Sequence, residues 1–374
     1  MRVLLTLSLA LGACGLAAAQ EKGDDPKPSL GEKMRAIQQE LQKEQEPLLK
    51  EFQAAKTDKE KDAVRDRAMA MMPKYAEKFL AAAVENPKDP ASLQALMQAM
   101  QMGQDGAVSD KAADAIVTHF ADNAQLKSML PMLGSSGAAG QKLLTNLHAK
   151  ATDKGVKGAT LYYLAAGKVE TADAGPRAGK EPTAEQKAAA VKEAEELLKR
   201  VAKEYGDVEL DREGTVAKAV EGQMFFLNNL LVGKTLPDAE VEGLDGKKVK
   251  ISDYRGKVVV LDIWATWCGP CRAMIPHERE LVAKLKDKPF VLISLSADDK
   301  KETLTQFLEK EPMPWTHWWN GGAKGGAIEA YKVRFYPTIY VLDEKGVIRF
   351  KHVRGELMDK AVEELLKETK ANKG

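Results

Sequence analysis

The stretch from Lys257 to Trp264 reads KVVVLDIW and is almost continuously apolar. A run of this kind, rich in β-branched residues, is typical of a strand that is buried on both faces. Other layers of structure must therefore cover both sides of its sheet, which leaves few architectures open. The strand leads directly into ATWCGPC, so it is predicted to deliver Cys268 to the start of the next helix.

Strands and helices alternate around this run. Asp245-Gly246 lies between two short alternating segments and predicts a hairpin, and FVLISLSA predicts a second buried strand. Gly346 marks the turn of a further hairpin. Amphipathic helices are predicted over 303–310 and 359–370. Together these elements predict an α/β domain at 236–369, with a central mixed sheet flanked by helices.

The region 29–232 has a different pattern. Its apolar residues recur three, four or seven positions apart, as in Leu30, Met34, Ile37, Leu41, Leu48 and Phe52. This spacing predicts an all-α helical array, so the chain is multidomain, as its length of 374 residues also suggests. The segment from Val169 to Pro182 contains Gly, Pro and charged residues and is predicted to be an exposed loop.

The N-terminus has the pattern of a secretory signal peptide over 1–19, followed by a polar linker over 20–28. Two processing routes are open: cleavage after Ala19, or lipidation at Cys14 in a segment that resembles the lipobox of bacterial lipoproteins. An uncleaved anchor is the third alternative, although the apolar run barely reaches the roughly 17 residues needed to span a bilayer. The predicted location is the periplasm or cell envelope, either free or anchored as a lipoprotein.

The composition of the chain excludes some classes of partner. A formal net charge of +1 with 44% hydrophobic residues argues against a nucleic-acid-binding surface and against disorder. Both cleavage routes remove Cys14 from thiol chemistry, so Cys268 and Cys271 are the remaining cysteines.

A C-x-x-C pair can hold a metal, close a structural disulfide or exchange electrons. Zinc would need two further Cys or His ligands, and the five histidines are scattered singly, so we predict no metal. A structural disulfide that closes so small a loop would contribute little stability. Redox exchange is therefore favoured, without a cofactor other than the disulfide. The helix N-terminus favours the thiolate of Cys268 as nucleophile, and Cys271 would resolve the mixed disulfide.

WATWCGPCRAMIP resembles the active-site segment of thioredoxins, and residues 236–369 are similar to the thioredoxin-like envelope oxidoreductases called TlpA-type proteins. YKVRFYPTIYVLDEKG resembles the segment that carries the family's cis-proline. The resemblance implies a cis bond between Tyr336 and Pro337, a backbone at Tyr336 that pairs with substrate, and a groove-facing glycine at Gly355. We assign the rest of the substrate surface to three residues around the cysteines: Trp267, Gly269 and Pro270.

Asp262 lies inside the apolar strand, where thioredoxins keep a buried acid. A desolvated carboxyl with a raised pKa could take the proton of Cys271 during resolution, and this is the role that we assign to it. The alternative is a neutral, hydrogen-bonded core acid without a catalytic role.

Two features depart from thioredoxin. Phe335 stands where thioredoxin has Gly, which predicts a bulky ring near the substrate surface. The segment EPMPWTHWWNGGAKGG is longer than its thioredoxin counterpart and contains three tryptophans. It is either a docking patch for a partner or an insert that packs its own aromatic rings against the sheet.

These features together predict an exported thiol-disulfide oxidoreductase. The Gly-Pro pair between the cysteines resembles the reducing members and favours a reductase. The predicted partners are protein thiols and disulfides and an upstream electron donor, which is either soluble or membrane-bound. One alternative is a helical scaffold that uses the thioredoxin-like domain only for docking. Another alternative is a peroxide reductase of the same fold, which would carry a P-x-x-x-T-x-x-C motif. Here Thr266 lies two residues before Cys268, and no matching proline precedes it.

Overall fold

The computed structural model describes residues 28–103, 106–134, 137–174, 182–211 and 213–371. The predicted signal peptide and nearly all of the predicted linker lie outside these residues and stay predictions. The chain divides into two compact units, the first ending at Leu164 and the second beginning at Ala165. Among the helices of the described ranges, none is both long enough and apolar enough to cross a membrane.

The first unit is built from helices, as predicted. Capping boxes begin the first two helices: Ser29 and Thr57 accept hydrogen bonds from the backbone N–H groups of Glu32 and Glu60, whose side chains accept from the two cap residues. The helices are α1 (Leu30–Ala54), α2 (Asp58–Glu85), α3 (Pro90–Met102), α4 (Ala107–Phe120), α5 (Leu126–Gly134), α6 (Gly137–Lys150) and the first part of α7 (Lys154–Ala172).

The second unit also begins with helical structure. It contains the end of α7, then α8 (Ala184–Tyr205), the short strands β1 (Glu209–Leu210) and β2 (Gly214–Thr215), and α9 (Val216–Asn229). The prediction of an exposed loop from Val169 to Pro182 is therefore wrong for its first residues, which belong to α7. Helix α7 continues to Ala172 because Ala165, Val169 and Ala172 extend its apolar stripe and are buried. The region predicted as one helical domain is thus shared between the two units.

A mixed sheet forms the centre of the second unit. Its strands are β3 (Val241–Gly243), β4 (Lys248–Val249), β5 (Val258–Trp264), β6 (Phe290–Ser296), β7 (Thr316–Trp319), β8 (Thr338–Leu342) and β9 (Ile348–Lys351). The order is β4-β3-β7-β6-β5-β8-β9. Strand β5 runs parallel to β6 and antiparallel to β8, so it is hydrogen-bonded along both edges.

Both faces of β5 are covered, as its apolar sequence predicted. Val259, Leu261 and Ile263 join one apolar cluster, while Val258 and Val260 join another on the opposite face. The remaining helices are α10 (Gly269–Arg272), α11 (Ile275–Lys284), α12 (Lys301–Lys310), α13 (Gly326–Ala330) and α14 (Glu356–Ala371). The predicted helical array followed by an α/β thioredoxin-like layer structure is confirmed.

The free edge of β9 is protected by the segment 233–236. Gly233 donates its N–H to the Ile348 carbonyl at 2.8 Å, and Leu236 donates to the Gly346 carbonyl at 3.0 Å. Because an exposed strand edge can pair with other chains, this cover closes one side of the sheet. The sheet-forming region therefore begins slightly before residue 236.

The tryptophan-rich segment packs its rings inward. It supplies β7, and Trp318 is buried. The indole of Trp315 donates to the Ser294 hydroxyl at 2.8 Å, and that of Trp319 donates to the Asp298 carbonyl at 2.8 Å. Of the two alternatives, the insert that packs against the sheet is the one that the structure contains.

Candidate active site

Strand β5 places the cysteine pair at its carboxyl end. After Trp264 the chain turns, the N–H of Cys268 donates to the Ala265 carbonyl at 3.0 Å, and α10 begins at Gly269. Cys268 is the cap residue of this helix, and its Sγ accepts the N–H of Cys271 at 3.2 Å. The predicted placement of Cys268 at the start of a helix is confirmed. Helix α10 stops at Arg272, and Pro276 lies in the first turn of α11.

Cys268 and Cys271 form a disulfide, with their Cα atoms 5.3 Å apart. Both cysteines are buried, and Cys268 at 6% exposure is slightly less buried than Cys271 at 2%. Gly269 and Pro270 between them are exposed. The small difference in burial has the predicted direction, and the roles of the two cysteines stay predictions.

The peptide bond between Tyr336 and Pro337 is cis, as the family resemblance implied. The Tyr336 ring meets the Trp267 ring edge to face, with 5.5 Å between ring centroids. Trp267 is 64% exposed, which is unusual for so large an apolar side chain. The structure therefore brings two predicted substrate-binding positions, Trp267 and Tyr336, into contact beside the cis-proline.

Gly355 directly precedes α14. Its φ of 55° lies in the left-handed region that favours glycine. Arg354 beside it donates from Nη2 to the carbonyl of Pro337 at 3.2 Å. The segment before α14 is thus tied to the cis-proline.

Asp262 is buried in β5 with 3% exposure, and its Oδ1 has no hydrogen-bond partner among the described residues. Burial raises the pKa of Asp262 to about 7, and the nearby Arg354 charge opposes that rise only in part. The burial and the raised pKa agree with the prediction. The alternative is a neutral core acid that is held by hydrogen bonds. Within the described residues, Oδ1 of Asp262 takes part in no such bond.

Metal binding was not predicted here. Within the part of the chain that the structure describes, no three His, Cys, Asp or Glu side chains are grouped so that they could hold a metal ion.

Part of the chain is similar to known proteins. Residues 232–351 match the model of the AhpC/TSA family. The thiol-disulfide oxidoreductase ResA of Bacillus thuringiensis subsp. konkukian is 33% identical over 136 residues, which are 36% of this chain and 77% of ResA. This chain belongs to the thioredoxin-like thiol-disulfide oxidoreductases.

Two further proteins are similar to this oxidoreductase. The thioredoxin-like protein YneN of Bacillus subtilis is 35% identical over 136 residues, which cover 36% of this chain and 78% of YneN. The crystal structure of a putative thiol:disulfide interchange protein DsbE from Chlorobium tepidum has 33% identity and a TM-score of 0.33. The match covers 38% of this chain and 99% of the chain from Chlorobium tepidum.

Sequence reasoning missed a second buried acid in the oxidoreductase. Glu278 lies on α11, is 1% exposed, and its Oε1 has no hydrogen-bond partner within the described residues. Burial and the charge of Asp262 raise the pKa of Glu278 to about 9. A signal was available, because Cys271, Ile275 and Glu278 follow each other at helical spacing and therefore share one buried face.

A third buried acid anchors the loop that carries the cysteines. Asp298 follows β6 and accepts the Thr266 hydroxyl at 2.7 Å and the Thr266 N–H at 3.2 Å. Ser296 also donates its hydroxyl to this carboxylate, at 2.7 Å. Thr266 therefore directs its hydroxyl to Asp298. No sequence pattern linked residues 32 positions apart, so this contact was not predicted.

Proposed function

We propose that the protein is an exported protein-disulfide reductase, with Cys268 as the attacking thiol and Cys271 as the resolving thiol. The observation that carries the proposal is the position of Cys268. Its sulfur caps a helix, accepts the Cys271 N–H at 3.2 Å, and belongs to the less buried of the two cysteines. A hydrogen bond and a helix N-terminus both favour thiolate over thiol, and the thiolate is the nucleophile.

The exchange takes place in two displacements. The Cys268 thiolate attacks a substrate disulfide, which forms a mixed disulfide and releases one substrate thiolate. Cys271 then loses its proton to the carboxylate of Asp262 and attacks the Cys268 sulfur. This step releases the second substrate thiolate and forms the Cys268–Cys271 disulfide. Two electrons pass from the dithiol to the substrate, so an upstream dithiol donor must reduce the enzyme again.

The substrate is proposed to bind across the exposed surface around the disulfide. Trp267, Gly269 and Pro270 would contact it from the cysteine loop, and the Tyr336 backbone would pair with an extended substrate segment. Pro337 and Gly355 would shape the groove. The support is the cis bond at Pro337, the exposure of Trp267 and the contact between the Trp267 and Tyr336 rings.

A trapping variant tests the mechanism. Cys271→Ser should accumulate mixed disulfides through Cys268, because the resolving thiol is missing. The double variant Cys268→Ser/Cys271→Ser is the matched control and should capture no partner. Non-reducing electrophoresis and mass spectrometry would detect the adducts. If Cys271→Ser captures no more covalent partner than the control, the mechanism is refuted.

The reducing direction is a separate part of the proposal and rests on the Gly269-Pro270 pair. The expected potential lies nearer the roughly −270 mV of thioredoxin than the roughly −120 mV of DsbA. Equilibration with glutathione buffers, followed by alkylation of free thiols, would measure it. A potential near the DsbA figure would reverse the proposed direction.

Export is proposed from the N-terminal sequence pattern. Cleavage after Ala19 would give a mature protein that begins at Gln20, whereas the lipobox route would give a protein that begins with a lipid-modified Cys14. Mass spectrometry of the protein from its native envelope distinguishes the two routes. Recovery of an unprocessed Met1 from the cytoplasmic fraction alone would refute export.

A further inference from the structure

Lys351 is a cation buried at the end of β9. It is 4% exposed, and its ammonium group lies over the rings of Phe226 and Tyr340, 4.6 Å and 5.1 Å from their centroids. It donates to the Leu230 carbonyl at 2.9 Å and forms an ion pair with Asp173. An unpaired charge at this depth would cost several kcal/mol, so Asp173 is needed to hold Lys351 in place.

Asp173 has a second contact. Its Oδ2 lies 3.5 Å from Nε2 of His352, the residue after Lys351. His352 has a φ of 59°, a conformation that non-glycine residues rarely adopt, and its N–H donates to the Ile339 carbonyl at 2.9 Å. One carboxylate therefore supports two successive residues where the chain leaves β9.

His352 in turn contacts the loop that carries the cis-proline. Its ring packs against the Phe335 ring, with 5.2 Å between ring centroids. Phe335 directly precedes Tyr336, and the Phe335 carbonyl accepts the Thr338 hydroxyl at 2.7 Å. Contacts thus run from Asp173 through His352 to Phe335, the residue before Tyr336.

We propose that Asp173 is a positioning residue of the redox site, and that it holds the loop 335–338 in the arrangement that pairs with substrate. The inference rests on the proposed function only for the identity of the substrate. Asp173 lies just after α7, well before the family match that begins at residue 232. Part of the helical segment would therefore belong functionally to the disulfide-exchange site.

Because loss of Asp173 alone leaves a buried cation unpaired, the informative variant is Asp173→Asn/Lys351→Met, which removes both charges together. Lys351→Met is its partner variant and leaves Asp173 beside His352. Glu221→Gln, an exposed acid on α9, is the control for loss of a carboxylate in the same unit. All are made in the full chain and compared with the unaltered protein.

Two measurements test the proposal. Hydrogen exchange should be roughly tenfold faster for the backbone amides of residues 335, 336 and 338 to 340 in the double variant, and unchanged in Glu221→Gln. With a disulfide substrate captured by the trapping variant, KM should rise by roughly the same factor, while kcat and the redox potential stay unchanged. Lys351→Met should lie between the double variant and the unaltered protein.

Unchanged protection of this loop in the double variant would overturn the proposal. So would faster exchange spread evenly over the whole second unit, or a loosened loop with an unchanged KM, because either would make Asp173 merely structural. Failure of the trapping variant to capture a partner would instead defeat the proposed function. The exchange measurement needs no substrate and would still decide whether Asp173 holds the loop.

Discussion

The two units bury different kinds of polar residue. In the described part of the first unit, no Asp, Glu, His, Lys or Arg side chain is fully buried. The buried hydroxyls of Ser92, Ser109 and Thr160 each donate to a backbone carbonyl of their own unit. The second unit also buries hydroxyl and amide side chains, but in addition it buries side chains that can carry charge. They are Asp262, Glu278, Asp298, His317 and Lys351.

This difference distinguishes buried polar groups that only stabilise the fold from buried groups that are available for chemistry. A buried hydroxyl with a backbone partner costs little, whereas a buried ionisable group costs free energy unless it is paired. Asp298 and Lys351 have such partners, but Asp262 and Glu278 each retain an oxygen without a hydrogen bond within the described chain. Groups that are kept at such a cost cluster at functional sites. Asp262 lies in β5, the strand that leads into the cysteine pair, and Glu278 lies in α11, the next helix after it.

The largest expected effect tests the apolar side of the comparison. Phe79 is fully buried in α2 of the first unit. Phe79→Ala should lower the free energy of unfolding by about 3–5 kcal/mol, because it removes apolar contacts and leaves a cavity. Urea unfolding followed by circular dichroism would measure this loss. The folded variant should exchange disulfides at the normal rate. A slower rate would show that packing in the first unit also affects the chemistry of the second.

The next effect concerns the two acids. The pKa of Asp262 is raised from 3.8 to about 7 and that of Glu278 from 4.5 to about 9. Between the ordinary and the raised values, the folded state holds protons that the unfolded state has lost. The free energy of unfolding should therefore fall as the pH rises from about 4 to about 9.

Asp262→Asn/Glu278→Gln should remove most of that pH dependence and be more stable than the unaltered protein above pH 7. Urea unfolding across the pH range would measure the slope. Asp262→Asn alone should slow resolution of the mixed disulfide by roughly 10²-fold, because the proton acceptor is lost. A variant that keeps the full pH dependence, or resolves at the normal rate, would contradict the role given to these acids.

The smallest effect compares one polar contact in each unit. Asp298→Asn weakens the acceptor for Thr266 and should cost about 1–3 kcal/mol and slow exchange, because the loop that carries Trp267 and Cys268 loosens. Ser109→Ala, the matched change in the first unit, should cost about 1 kcal/mol and leave exchange unaltered. Equal effects of the two variants on the exchange rate would show that Asp298 has no special relation to the site.

Much of the redox unit was predictable because its signals are local. The apolar run of β5, the turn at Gly346 and the C-x-x-C pair each depend on neighbouring residues, and the structure contains the strand, the hairpin and the disulfide. Two predictions needed the family resemblance: the cis bond at Pro337 and the position of Gly355. Glu278 could have been recognised from helical spacing, since an acid on a buried helix face is uncommon.

Local patterns in the sequence predicted the helical region, the two hairpins, the double burial of β5 and the location of the dithiol at the start of a helix, because periodicity and turn residues act over short distances along the chain. The strands β1, β2 and β7 were not predicted. Which buried charges have partners became visible only in the folded chain. Thr266 and Asp298 lie 32 positions apart, and Lys351 and Asp173 lie 178 apart. Whether a buried charge is stabilised depends on groups that meet in space, and no pattern of neighbouring residues encodes such a meeting.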